Sequence, residues 1–149
     1  MLHQLKYKGA KDLGEHLGNR YGSILQEHHY HEQFDLIVPV PLHKYKLRKR
    51  GYNQAEHFAI GLADAMEVPT KANVLIRTIN TTTQTRKDRL NRWQNVEQVF
   101  DVTKPEQVAG KRILVVDDVL TTGATLEACA VALLAAGATE VSIATIAAA

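Results

Sequence analysis

One stretch near the carboxyl end restricts the fold more than any other. Ile113-Leu114-Val115-Val116 is apolar at every position, an alanine-rich segment opens at Thr122, Gly137 is placed to end it, and Val141 to Ile146 is apolar again. A strand without polar alternation is one buried on both faces. Strand, helix and strand at this spacing predict a parallel pair joined by a right-handed crossover. Upstream, Phe34 to Val38 reads as a buried strand that runs into a loop at Pro39 and Pro41. Asn53 can then cap a helix whose apolar positions Phe58, Ile60, Leu62 and Met66 continue until Pro69. Val74 to Ile76 reads as a further short strand, and about twenty residues rich in Thr, Gln, Asn and Arg separate it from Val99 and Phe100. A loop of that length is unusual inside a compact domain and is often a lid over a site. Glu15 to His31 reads as a helix, polar and histidine-rich with Tyr21 and Tyr30, and offers no obvious packing face. Repeated βα units predict an α/β fold, an open, mostly parallel β-sheet flanked by helices.

A chain of 149 residues is expected to form a single domain, residues 1–149, without help from disulfides or metal. The one cysteine, Cys129, lies in a run of Ala, Val and Leu and reads as a small core residue; a lone cysteine excludes an internal disulfide and a cysteine-rich zinc site. No apolar run approaches the roughly 20 residues of a membrane span, and the lysine-containing start lacks the apolar region of a secretory signal. A cytoplasmic location without membrane insertion is expected. A net charge of +2 does not by itself imply nucleic-acid binding, but the cations are unevenly placed.

In open α/β sheets, ligands bind outside the carboxyl ends of the strands. There the chain carries Asp117 and Asp118, then Val119 and Leu120, then Thr121, Thr122, Gly123, Ala124 and Thr125. The Thr-Thr-Gly-Ala-Thr run enters a helix, so its free amides and the positive helix end can receive a phosphate. Two adjacent carboxylates repel a phosphate but suit vicinal sugar hydroxyls or a divalent cation. Phosphate beside diol indicates a ribose 5-phosphate. Alone, an Asp-Asp pair would merely end a strand and cap a helix. The second candidate is Val38 to Gln54, read as a loop leaving a neighbouring strand, with Lys44, Lys46, Arg48, Lys49, Arg50 and then Gly51. It would face the same crevice and could neutralise a diphosphate.

The complete string from Ile113 to Thr125 resembles, at every position, the phosphoribosyl diphosphate (PRPP) binding motif of type I phosphoribosyltransferases. Val38-Pro39-Val40-Pro41-Leu42, Arg50-Gly51-Tyr52-Asn53-Gln54 and the Thr82 to Asn95 stretch resemble the ComF/GntX family of phosphoribosyltransferase-like proteins, associated with DNA-uptake competence, over about Leu5 to Ile146. The resemblance implies the type I phosphoribosyltransferase fold with a flexible hood at about residues 77–100. It implies that Asp117 and Asp118 hold the ribose hydroxyls and are the catalytic pair, and that Thr121, Thr122, Gly123, Ala124 and Thr125 hold the 5-phosphate. Pro39, Val40, Pro41, Arg48, Lys49, Arg50 and Gly51 are the diphosphate candidates, and Arg86, Lys87, Arg89 and Arg92 the hood cations. Mg²⁺ is implied with PRPP, held mostly by ligand oxygens, with no dedicated metal site. Family members commonly carry an amino-terminal cysteine-rich zinc module; here the sequence starts near the Leu5 to Gly9 segment that usually follows it, with no cysteine before Cys129.

The resemblance thus implies a phosphoribosyltransferase, a transferase of nucleoside metabolism that moves a 5-phosphoribosyl group to a nitrogen nucleophile and releases pyrophosphate. The residues identify no acceptor pocket. The alternative is a non-catalytic PRPP or nucleotide-binding module of a competence or DNA-uptake complex, contacting single-stranded DNA through Lys44 to Arg50 with Tyr45 and Tyr52. Expected partners are PRPP, an unidentified acceptor, competence or DNA-uptake proteins, DNA, and a second copy of the chain as a homodimer.

Overall fold

The computed structural model describes residues 11–78 and 99–149. Helix α1 (Lys11–Glu27) leads through a 3-10 turn at Tyr30–Gln33 into strand β1 (Leu36–Pro39). A short helix α2 (Lys44–Arg50) and helix α3 (Gln54–Met66) follow, then β2 (Leu75–Arg77) and β3 (Phe100–Val102). The chain closes with β4 (Arg112–Leu120), helix α4 (Ala124–Ala135) and β5 (Glu140–Ala148).

The main sheet is parallel, in the order β1-β4-β5. Its strands are apolar throughout because both faces are covered. Leu36, Val38, Ile113 and Val115 pack with Leu126, Cys129 and Leu133 of α4, and with Leu75 and Phe100. Ile37, Leu114 and Val116 point the other way, to Phe58, Ala59, Leu62 and Met66 of α3, with Leu17 and Leu25 of α1 behind them. The period of two along each strand therefore builds two cores, each fully buried aliphatic side chain contributing about 1.5–3 kcal/mol. Cys129 is wholly buried in the first, as its apolar neighbourhood predicts.

Strand β2 does not extend this sheet. It pairs antiparallel with β3, Leu75 opposite Val102 and Arg77 opposite Phe100, in a separate ribbon. The free side of β1 is met instead by Thr70: its hydroxyl and the Lys71 amide donate to the Ile37 carbonyl, and the Ile37 amide donates to the Pro69 carbonyl.

Three boundaries differ from the sequence reading. The first helix starts at Lys11 and stops at Glu27 rather than His31, because the chain turns left-handed at His29. Its packing face is a stripe the polar composition hides: Gly14, Gly18 and Gly22, one turn apart, lie against α3. A methyl at Gly18 would strike the Phe58 carbonyl, and one at Gly61 of α3 would strike the Glu15 carbonyl. The helix axes therefore approach as closely as backbones allow. The second difference is α2, a helix where a loop is predicted. The His43 ring accepts from the Tyr45 amide to start it, Gly51 at φ 82° ends it, and three cations fall in its last turn, where they complement the helix dipole.

The third difference matters most for the site. Strand β4 does not stop at Val116 but continues to Leu120, because β5 pairs with it as far as Ala148. Its partner on the other side ends at Pro39, opposite Val116. Asp117 and Asp118 therefore lie within the strand, on a part of it that projects past β1. The end of α4 follows prediction: Gly137, at φ 106°, closes a Schellman motif in which the Ala138 and Gly137 amides donate to Leu133 and Leu134.

Candidate active site

The projecting end of β4, the start of α4, helix α2 and the end of β2 surround a cleft of about 480 Å³. Asp117 and Asp118 line it, with Thr121 and Thr125. So do Val40 and Pro41 of the loop after β1, and Lys46 and Arg50 of α2. Arg77 lines it too, its guanidinium carbon 5.5 Å from the centre of the Phe100 ring.

The two aspartates each accept a hydrogen bond from the next amide: the Asp118 amide donates to Asp117 Oδ1 and the Val119 amide to Asp118 Oδ1, both at 2.8 Å. Neither carboxylate has a cation as a hydrogen-bonded partner among the described residues. Burial, with the neighbouring Asp118 side chain and its charge, pushes the Asp117 carboxyl up to about 7, against the pull of the Asp118 amide and of Arg77. The pair therefore holds a proton near neutrality that two separate carboxylates would release. Cys129 is buried nearby; burial and the Asp117 charge raise its thiol to about 12, so it is no nucleophile at physiological pH.

At the start of α4, Gly123 takes φ 84°, a left-handed conformation natural only to glycine. This turns the chain so that Thr121, Gly123, Thr125 and Asp117 enclose a small recess of about 40 Å³ beside the main cleft. Thr122 points elsewhere, its hydroxyl accepting from the Ala124 amide at 3.3 Å. Of the five residues predicted around a 5-phosphate, Thr121, Gly123 and Thr125 line the recess, while Thr122 shapes the turn.

The diphosphate candidates are divided by the helix that replaces the loop. Residues four apart share a helix face, so Lys46 and Arg50 both reach the cleft. Arg48 and Lys49 do not line it, and Gly51 serves as the helix terminus. Pro39 is buried in β1, whereas Val40 and Pro41 line the cleft. Lys46, Asn53 and Gln54 line the cleft from within the Val38 to Gln54 stretch expected to meet a diphosphate, and Arg77, which was not a candidate, lines it too. The i, i+4 spacing separates Lys46 and Arg50 from the other cations of that stretch only once a helix is recognised there. Arg77 needs the β2–β3 ribbon to bring it round. Tyr52, a candidate for stacking on DNA, is only 5% exposed, between His57 and Lys11. Tyr45 is 69% exposed. The hood candidates Arg86, Lys87, Arg89 and Arg92 lie outside the described residues, as does the Leu5 to Gly9 segment.

A crossed α/β sheet with a carboxylate pair at a strand end, a threonine-glycine turn into a helix and a basic helix lining the same cleft defines a class, and the comparisons with known proteins agree on it. The family model of the phosphoribosyl transferase domain matches residues 47–149, and the chain belongs to that family. Within it, the relatives are those of the ComF type. Competence protein ComFC of Bacillus subtilis is 34% identical over 136 residues, 91% of this chain and 53% of the relative. Competence protein F of Haemophilus influenzae is 32% identical over 110 residues, 73% of this chain and 48% of the relative. The chain thus spans about half the length of these curated relatives. Among solved structures, the allosteric regulatory enzyme of purine biosynthesis aligns with a TM-score of 0.61 at 25% identity, over 89% of this chain and 25% of that one. No described helix is long and apolar enough to cross a membrane.

Proposed function

We propose that the cleft binds PRPP and that the chain transfers its 5-phosphoribosyl group to a nitrogen nucleophile, releasing pyrophosphate. The observation that carries this reading is the mixed lining of one cleft, which holds Asp117 and Asp118 and the threonines of a helix start together with Lys46, Arg50 and Arg77. A ribose 5-phosphate with a diphosphate at C1 is a ligand whose parts match that lining. Asp117 and Asp118 would accept from the 2- and 3-hydroxyls, Thr121, Gly123 and Thr125 would surround the 5-phosphate, and the cations would meet the diphosphate. In the reaction the bond from C1 to the diphosphate oxygen breaks, its electron pair leaves with pyrophosphate, and a C1–N bond forms as the nucleophile loses a proton. Positive charge develops at C1 close to the carboxylate pair, and negative charge collects near the cations, so fixed charges oppose both changes.

Magnesium fits this donor set as an ion carried by the ligand. Among the described residues no group of three or more His, Cys, Asp or Glu is arranged to hold a metal, and Mg²⁺ readily takes most of its shell from phosphate oxygens and water. When bound it would neutralise charge on the departing diphosphate.

Calorimetry with PRPP and Mg²⁺ tests the reading directly. Binding is expected in the wild type and is expected to be lost when Asp117→Asn and Asp118→Asn are combined; binding that persists in the double variant rejects the assignment. Pyrophosphate release across a panel of nucleobases and amines then tests turnover.

A second reading, a nucleic-acid-handling module, is favoured by one observation. Tyr45, Lys44, Arg48 and Lys49 form an exposed basic surface that is not part of the cleft. Cations beside an exposed ring suit a single strand. Salt-dependent oligonucleotide binding that survives saturating PRPP would support it, and competition by PRPP would count against a separate surface.

A further inference from the structure

Asn53 and Gln54 stand side by side at the start of α3, both almost wholly buried, and the fold treats their carboxamides differently. Asn53 uses both ends of its amide. Nδ2 donates to the Val40 carbonyl at 3.0 Å, and Oδ1 accepts from the Ala55 amide at 3.1 Å, capping the helix and tying it to the loop after β1. Gln54 is 3% exposed and is among the residues that line the cleft, yet its Nε2 is shielded from solvent and has no hydrogen-bond partner among the described residues. A buried donor without a partner destabilises the fold that contains it, and native proteins keep few of them. On a residue that lines a ligand cleft, such a donor becomes available to the ligand once the carboxamide turns.

Which part of the ligand it meets follows from its neighbours. The Asn53 bond ties this helix start to Val40, in the loop after β1, and Gln54 lines the same cleft as Lys46 and Arg50. Gln54 is also the first residue of a 13-residue helix, whose first-turn amides and positive dipole end add to the same field. Donors, cations and a helix start together select an anion over a neutral carbonyl. We infer that Gln54 is a diphosphate-binding residue, its carboxamide turning into the cleft to donate to a non-bridging oxygen of the pyrophosphate group. The inference rests on the PRPP reading above and adds to it a neutral donor that charge patterning alone does not find.

The test compares Gln54→Leu and Gln54→Glu with the wild type by calorimetry, using inorganic pyrophosphate, ribose 5-phosphate and PRPP, each with Mg²⁺, alongside thermal melts of the ligand-free proteins. In Gln54→Leu, pyrophosphate and PRPP are expected to bind roughly 10- to 100-fold more weakly, the cost of one hydrogen bond to a charged group. Ribose 5-phosphate should bind as before, and the melting temperature should hold or rise because an unpaired buried donor has been removed. Gln54→Glu should bind pyrophosphate more weakly still, since it opposes an anion with an anion. Unchanged pyrophosphate affinity in Gln54→Leu overturns the inference. So does an equal loss for all three ligands with a lowered melting temperature, the behaviour of a packing residue. Tighter pyrophosphate binding by Gln54→Glu also overturns it. A wild type that binds no PRPP sinks the underlying reading itself, whereas a wild type that binds PRPP beside an unaffected Gln54→Leu sinks this inference alone.

Discussion

Strand β4 carries charge at both ends and handles it in opposite ways. At its start, Arg112 meets Asp35 through three donors: its backbone amide at 2.8 Å and Nε at 3.1 Å to Oδ2, and Nη2 at 3.0 Å to Oδ1. That fork draws the Asp35 carboxyl down to about 2 and the guanidinium further up. At its far end, Asp117 and Asp118 stand adjacent, accept from backbone amides and have no hydrogen-bonded cation among the described residues, and Asp117 is pushed up instead, to about 7. Both ends carry a two-residue charge cluster, but only the first, which draws Asp35 from beside β1, contains a hydrogen-bonded counter-charge. A structural pair carries its partner within the fold, and a binding pair keeps that place for something outside it.

The sharpest way to break this comparison is Asp117→Asn, where ligand binding and stability should move in opposite directions. PRPP affinity is expected to fall at least about tenfold, through loss of a charged acceptor for the ribose. Stability should rise. The Asp117 carboxyl lies above its ordinary value of 3.8 in the folded protein, so proton uptake favours folding; that contribution is complete below about pH 4 and is lost as the pH rises through about 7. The Asn variant should therefore melt at a higher temperature than wild type at pH 8, by an amount worth up to a few kcal/mol, with the gap closing toward pH 4. A lower melting temperature at pH 8 would place Asp117 with Asp35 among structural charges.

Helix α2 offers the same contrast within two turns. Lys46→Ala should weaken PRPP binding by roughly tenfold, one charged contact with phosphate, while Lys49→Ala should leave it unchanged; titrations of the two variants that agree would remove the distinction between cleft face and solvent face. The smallest effect is expected at Asp35. Its carboxyl lies below the ordinary value, so its contribution is present above about pH 4 and is lost as the pH falls through about 2. Asp35→Asn should lower the melting temperature slightly at pH 7 and not at all near pH 2, with PRPP affinity unchanged.

What could be read from the chain beforehand was whatever is written locally. Ile113 to Thr125 contains its strand, its carboxylates and its threonine-glycine turn in one continuous run, so the sequence displays this part of the cleft without help from the rest of the fold. The crossover to β5 and the burial of Cys129 are equally local. The basic part of the cleft is not. Which of Lys46, Arg48, Lys49 and Arg50 faces the ligand depends on the phase of a helix only seven residues long, whose starting signal is a histidine ring and whose stop is Gly51. Arg77 reaches the cleft only because β2 turns out of the main sheet to pair with β3. The glycine stripe of α1 was visible as spacing, but its meaning depends on Gly61, almost forty residues from the nearest stripe glycine. The orphaned amide of Gln54 is a property of packing and has no signature in the chain.

The uneven length of the strands has a further consequence. Up to Val116, β4 is held on both sides; from Asp117 onward it has β5 alone, and the last rung is the bond from the Ala149 amide to the Leu120 carbonyl at 2.8 Å. The carboxylate end of the cleft is thus a two-stranded ledge, from which Leu120 and Ile146 still reach the two cores, and it can open locally more readily than the part of β4 held on both sides. A ligand bound between this ledge and α2 would occupy the flank that β1 leaves empty. It would act as a substitute third strand, so that binding and the rigidity of the carboxylate pair become a single equilibrium.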